Sequence, residues 1–546
     1  MPQIIIKDIN LGGLSESIYQ GAANSVAAAV GLDLNSEPGL IKVNQKLTRE
    51  SSIYIDDLVK CILPCSDGNT YIFGSTNGKI WKRTSAGVYS LEATAAPAAG
   101  AVGILEAYEY QGYIYYAMQS RLGRVAVGAP TDWSGRNDSW ATFTNTDADF
   151  HPMKEVNQVL YIGDKNYVAQ VDAGVFSADA LDIKTPLRIK SLGKLSTDLL
   201  VGTFVNVYRV LTEIFRWNTW STDSYQASDE IPEVGINSFL QGDNSVLASC
   251  GRKGNIYYYN GSVLEQYRQI PGDWLGSKEA TIHPNASVNK NGVPMFCLSN
   301  VSGNPAKQGL YSFLGLRILN LENLISTGRY SNQDIGAAEL VGTDLFLAWK
   351  EQSTITMTIA NPCVVTFTAH GLSNGDPISF ATTGALPTGI VAGTIYYARS
   401  VTADTLNLYD TAAHAIAGGA TGRVTTTGTQ SGTHTSTIYG IDILDTTAKV
   451  ASAYFETRVI TVERDKQETI SGFVGYRSLP TGTSIKIWYK NNHATDYLEA
   501  TTVVDTDRKI VFTKESFPPA NTYQFKIELV ASGNDAPEVE STQFDL

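Results

Sequence analysis

Seven carboxylates fall where a loop-borne acid–base pair would be sought: Asp132, Asp138, Glu155, Asp172, Asp198, Glu213 and Asp243. Glycoside hydrolysis needs two such groups facing one cleft, one as acid and the other as base or nucleophile. None of the seven stands in a motif that fixes a spacing, and acids on strand-connecting loops commonly form solvated turns. The six histidines (His151, His283, His370, His414, His434 and His493) are scattered without metal-ligand spacing. His370 precedes Gly371 and reads as a cap on local backbone. Cys61 and Cys65 bracket Ile62-Leu63-Pro64, but no second Cys or His pair completes a zinc site. With Cys250, Cys297 and Cys363 they form an odd, dispersed set, which suits buried strand positions better than a disulfide framework. No Gly-x-Ser-x-Gly elbow at a strand–helix junction and no phosphate-cradling Gly-rich loop is present. The expectation is a chain that is not an enzyme, with no catalytic, cofactor-binding or metal residue to name.

The aromatic residues Trp133, Trp140, Trp217, Trp220, Tyr225, Tyr267 and Trp274 lie in or near inter-strand segments. Flat apolar rings with polar edges suit a sugar platform, and they suit the buried anchors of a subunit interface equally. Packing within and between subunits is the favoured reading of the two.

What would position these residues is a repeated β phrase. Asn69-Thr70-Tyr71-Ile72-Phe73-Gly74, Gln111-Gly112-Tyr113-Ile114-Tyr115-Tyr116, Asn157-Gln158-Val159-Leu160-Tyr161-Ile162 and Gly254-Asn255-Ile256-Tyr257-Tyr258-Tyr259 are its clearest copies. Weaker copies begin at Asp198, Gly292 and Gly342, so the period is about 40–50 residues. Strands recurring at that period without helices predict stacked four-stranded sheets, an all-β propeller of about seven blades. Asn77-Gly78, Asn260-Gly261 and Asn291-Gly292 supply the turn chemistry of two-residue hairpins.

The character changes at both ends of the repeat. Residues 1–50 read as an arm, with residues 22–31 as a short helix or packed coil. The propeller body is expected over 51–352, and a Thr- and Gly-rich, almost uncharged module over 353–436 reads as a small barrel or sandwich inserted between strands of the last blade. Residues 437–458 return to that blade, and 459–546 alternate cleanly, as in Ser484-Ile485-Lys486-Ile487-Trp488, predicting a terminal β-sandwich.

Charge narrows the partners. Lys and Arg number 41 against 54 Asp and Glu, a formal charge of −13, with no basic run to grip a phosphate backbone. An acidic wall would let DNA pass without adhering to it, through short-range repulsion. No apolar run reaches bilayer length and no secretory signal is visible, so cytosolic synthesis without membrane insertion is expected.

Ala369-His370-Gly371-Leu372-Ser373-Asn374-Gly375-Asp376, Gly393-Thr394-Ile395-Tyr396-Tyr397 and Thr405-Leu406-Asn407-Leu408-Tyr409-Asp410 together resemble a small β-module that recurs in tail proteins of tailed bacteriophages. The opening (Gly12-Gly13-Leu14-Ser15-Glu16, Glu37-Pro38-Gly39-Leu40) and the end (Leu479-Pro480-Thr481-Gly482, Ala536-Pro537-Glu538) resemble phage structural propeller proteins. The resemblance implies a virion protein of the tail, a nozzle or hub ring of self-associated copies, six by analogy, assembled in the host cytoplasm. Its implied partners are other tail, adaptor or fibre proteins, DNA passing through the lumen without specific binding, and the host surface. The alternative it leaves open is a receptor- or carbohydrate-binding propeller of a tail fibre or tip. It transfers no catalytic residue.

Overall fold

A computed structural model describes residues 3–6, 14, 25–33, 37, 39–50, 55–97, 103–205, 211–219, 224–242, 245–270, 279–299, 308–313, 324–326, 333–461, 469–504 and 507–545. (Residues 34–36 and 38 fall outside that set.) Five successive four-stranded antiparallel meanders occupy 59–94, 104–142, 153–182, 188–231 and 236–269, and a sixth occupies 287–326. The seventh blade is assembled from four strands in three stretches of chain: the hairpin of Gln333–Val341 with Asp344–Met357, then His434–Lys449, and, outermost, the N-terminal strand Gln45–Arg49. The first strand of each blade packs against the first strand of the next. That contact runs through all seven blades and returns from Gln333–Val341 to Val59–Pro64. The chain is therefore a closed seven-bladed β-propeller, latched by an N-terminal strand in the last blade.

Closure demands a close approach at the final seam. A Cβ on Gly336 would lie 2.2 Å from the Val59 carbonyl oxygen, so only glycine lets blade seven meet blade one. Elsewhere the blades are joined by apolar walls. Trp133 packs edge-on against Tyr71 (5.2 Å between ring centres) and near Tyr116 (5.9 Å), sealing blades one and two. Trp217 meets Tyr161 at 5.3 Å between blades three and four.

The β phrase read from the sequence is the second strand of its blade in six of seven places. In blade five the second strand is Val246–Cys250, and the Tyr-rich Asn255–Tyr259 is the third. The Asn-Gly tips also divide. Asn291 (φ 52°) and Gly292 (φ 81°) both take the left-handed conformation of a type I′ turn. At Asn77-Gly78 only the glycine does, and the Asn77 carboxamide instead accepts from the Lys79 N–H at 2.9 Å.

The inserted module is a closed six-stranded barrel. Asp344–Met357 and His434–Lys449 run out of blade seven paired continuously from Phe346↔Ile443 to Ile355↔His434. They then diverge to pair with Val364–Thr366 and Pro377–Thr382, and Thr405–Tyr409 and Tyr396–Thr402 complete the circuit. Blade and barrel thus share two strands rather than a linker. A buried ion pair at 2.9 Å from Arg49 of the latch strand to Asp376 of the barrel ties them laterally.

The C-terminal sandwich departs from the expected boundaries because the N-terminal segment belongs to it. Gln3–Ile6, Leu32–Asp33 and Ile41–Val43 join the sheet of Glu538–Asp545, Ser471–Tyr476 and Lys509–Phe512. Ala28–Val30, expected as helix or coil, is a strand of the facing sheet. Ser452–Glu456 also pairs there, with Thr522–Val530, so the return to blade seven ends at Lys449 rather than at 458. Phe525 stacks on Phe544 at 4.1 Å across the sandwich core. A single parallel bridge, Val30↔Ser326, makes this sheet continuous with blade six.

Candidate functional site

The expected acids do not converge. Asp132 caps the short 3-10 turn Trp133–Gly135, accepting from the Ser134 N–H at 2.9 Å. Asp138 accepts from the Tyr116 hydroxyl at 2.6 Å and from Arg136. Glu155 sits on the inner strand Met153–Val156, and Asp172 is exposed at a strand end. Asp198 pairs with Arg216 at 3.5 Å, and the buried Glu213 pairs with Lys184. Asp243 lies outside the described residues. These side chains belong to separate local networks on blades two, three and four.

The histidines are likewise local. His370 accepts from the Leu372 N–H at 2.9 Å and donates to the Thr402 carbonyl, the backbone cap read from the sequence. The buried His151 is stacked on Phe143 at 4.1 Å, with burial holding its imidazole below the usual range. His434 bonds Thr382 and Gln430, and His414 bonds Asp410 at 2.6 Å; His493 stands in a turn. Four cysteines are buried and Cys65 is half-buried, all as free thiols, and among the described residues no three metal-ligating side chains gather. Of the aromatic residues, Trp133 and Trp217 are buried between blades, and Trp140 packs on Tyr115 under Arg124 (4.3 Å). Tyr225 packs on Phe215 and Tyr267 under Arg268. Trp220 and Trp274 lie outside the described residues. Those that are described serve packing.

The polar chemistry collects instead on the propeller axis. At one end is a mouth, a cavity of about 660 Å³ lined by the segments that lead into the inner strands and by Lys350 and Tyr439 of blade seven. Its charged groups are Asp57, Lys60, Asp149, Lys190, Arg252, Glu279, His283 and Lys350. The carboxylates are engaged: Asp57 accepts from the N–H groups of Leu58, Thr76 and Asn77, Asp149 from Arg188, and Glu279 from Arg252. His283 bonds Asp334 at 2.9 Å; burial alone would raise that carboxyl, but the hydrogen bond holds it below its usual range. Lys190 contacts only the cavity wall, donating to Asn237 Oδ1 at 2.5 Å and to the Ile282 carbonyl at 3.3 Å. Burial pushes its ammonium down to about 8, and pushes Lys60 down as well.

Deeper along the axis the seven inner strands enclose about 260 Å³ lined by Glu106, Lys154, Ser191, Ser238, Asn285 and Glu339, among others. Burial pushes Glu106 up to about 7 against the hydrogen bond from Asn285, and raises Glu339. None of the acids expected from the sequence lines the mouth. A readable signal existed: Asp149-Phe150-His151-Pro152 and Thr281-Ile282-His283-Pro284 both stand just ahead of an inner strand, a second repeat in phase with the first.

No protein-family model matches the chain. No curated protein matches it either. Solved structures that it resembles are propellers at low identity. The extracellular domain of a hybrid two component system from B. thetaiotaomicron is 13% identical with a TM-score of 0.39, over 67% of this chain and 46% of that one. Virginiamycin B lyase from Staphylococcus aureus is 14% identical with a TM-score of 0.35, over 54% and 96%. The Pan2 WD40 domain of Neurospora crassa is 7% identical with a TM-score of 0.37, over 56% and 92%. The chain thus spans about half the length of the first of these.

Proposed function

We propose that this chain is a structural subunit of a bacteriophage tail, one of several copies in a nozzle or hub ring that shapes the DNA conduit and anchors neighbouring tail parts. The observation that carries the reading is the continuity of its sheets. Barrel and blade seven share two unbroken strands, and sandwich and blade six share one sheet, so load applied to a module passes through backbone hydrogen bonds. A part that transmits force is built this way, whereas modules that act independently are usually joined by linkers. The inner strands of each propeller leave only about 260 Å³ on its axis, too little for a DNA duplex, so the conduit runs between copies. The mouth, with the rings of Phe150 and Tyr439 beside its charges, favours a second reading as a receptor- or carbohydrate-binding propeller of a fibre or tip.

Immunogold electron microscopy of particles from the source culture tests the proposal. Gold at the tail axis is expected; gold on peripheral fibres selects the second reading, and gold absent from intact and opened particles overturns both.

A further inference from the structure

We propose that the propeller mouth is a binding site for a carboxylate-bearing sugar unit, held by Lys60, Lys190 and Lys350. Three observations converge on it. First, these ammoniums line one cavity, and among the described residues none has a carboxylate partner at salt-bridge distance, although the neighbouring acids Asp57, Asp149, Glu279 and Asp334 are all engaged by other donors. A half-buried lysine with no direct ion pair is costly even with carboxylates farther off, and an incoming oxyanion supplies the missing contact.

Second, the cavity holds sugar-compatible surfaces beside the cations. Phe150, braced edge-on by Phe204 at 5.3 Å, and Tyr439 offer ring surface for C–H groups. Ser75, Thr76, Gln119 and Asn237 supply polar groups at the wall for hydroxyls. An inorganic anion would have no use for the rings, and a neutral sugar, though it accepts hydrogen bonds from ammoniums, would bring them no counter-charge. Third, at about 660 Å³ the mouth falls within the range of small-ligand pockets, roughly 300–1,000 Å³.

The site does not depend on where in a particle the chain sits, so its failure is distinguishable from that of the tail reading. The test is titration calorimetry of the full chain with glucuronate, glucose and inorganic phosphate, repeated on Lys190→Gln and Lys350→Gln. Circular dichroism establishes that each variant folds, and Lys350, which lines the cavity from blade seven, provides a substitution away from the Asn237 contact. Glucuronate is expected to bind at least tenfold more tightly than glucose or phosphate, and each variant to weaken it about tenfold. Equal affinity for phosphate and glucuronate would reduce the mouth to an unspecific anion well and overturn the sugar assignment. Absence of binding by any probe, or binding that neither variant changes, overturns the site.

Discussion

The walls between blades and the axis they surround are built by opposite rules. Between blades one and two, Trp133, Tyr71, Phe73 and Tyr116 close a largely apolar seam, its tyrosine hydroxyls reaching out to Asp67 and Asp138. Along the axis, on the inner strands of blades one, two, three, four and seven, stand Lys60, Glu106, Lys154, Lys190 and Glu339. A wall residue gains by removing surface from water, while an axis residue loses hydration it would keep in the unfolded chain. Stability is thus generated between the blades and spent at the axis, the pattern of a scaffold that holds a polar site.

That contrast breaks most visibly at Trp133. Trp133→Ala should cost about 4 kcal/mol by opening a cavity in the seam, read as a lower urea midpoint at unchanged slope. A loss under 1 kcal/mol would mean that the seam is not what holds blades one and two together.

The axis should respond in the opposite direction. Glu106 is raised by burial from 4.5 to about 7 in the folded chain. A raised folded value means its contribution favours folding below pH ~4.5 and is lost as pH rises through about 7. Glu106→Gln should therefore stabilise the protein at pH 8, by on the order of 3 kcal/mol, and flatten that part of the stability–pH curve. Chemical denaturation at pH 4.5, 6 and 8 measures it; a destabilised variant at pH 8 would place Glu106 in a needed interaction and dissolve the contrast.

The smallest effect belongs to the closing seam. Gly336→Ala should cost about 2 kcal/mol, because the new methyl meets the Val59 carbonyl and blades seven and one must separate. Hydrogen exchange should rise at Val59–Pro64 and Gln333–Val341 before it rises elsewhere; uniform exchange would show that the ring opens at another joint.

Much of the architecture was legible because it repeats or alternates. Second strands announce themselves by aromatic and β-branched residues buried on both faces, as in Thr70–Gly74. The sandwich strand Ser484–Asn491 alternates as its one wet face requires. The inserted barrel stood out by losing its charge. Less legible was anything that depends on partners far apart in sequence. Gln45–Arg49 reads as part of an arm, and only its pairing with His434–Lys449, some 390 residues on, makes it the latch. Ala28–Val30 is a strand because Ser452–Glu456 lies beside it. The lysines of the candidate site were missed for the same reason: Lys60, Lys190 and Lys350 belong to blades one, four and seven, and nothing local to any of them differs from an ordinary surface lysine.

By itself, then, the sequence determined the all-β class, the blade period, the inserted module and the terminal sandwich, since each is written in side-chain periodicity within a short window. Tertiary structure alone decided the N-terminal strand that latches the last blade, the strands shared between modules and the gathering of charge at the mouth. Those depend on loop closures hundreds of residues long, whose partners are chosen by the packing of the whole ring rather than by any local preference.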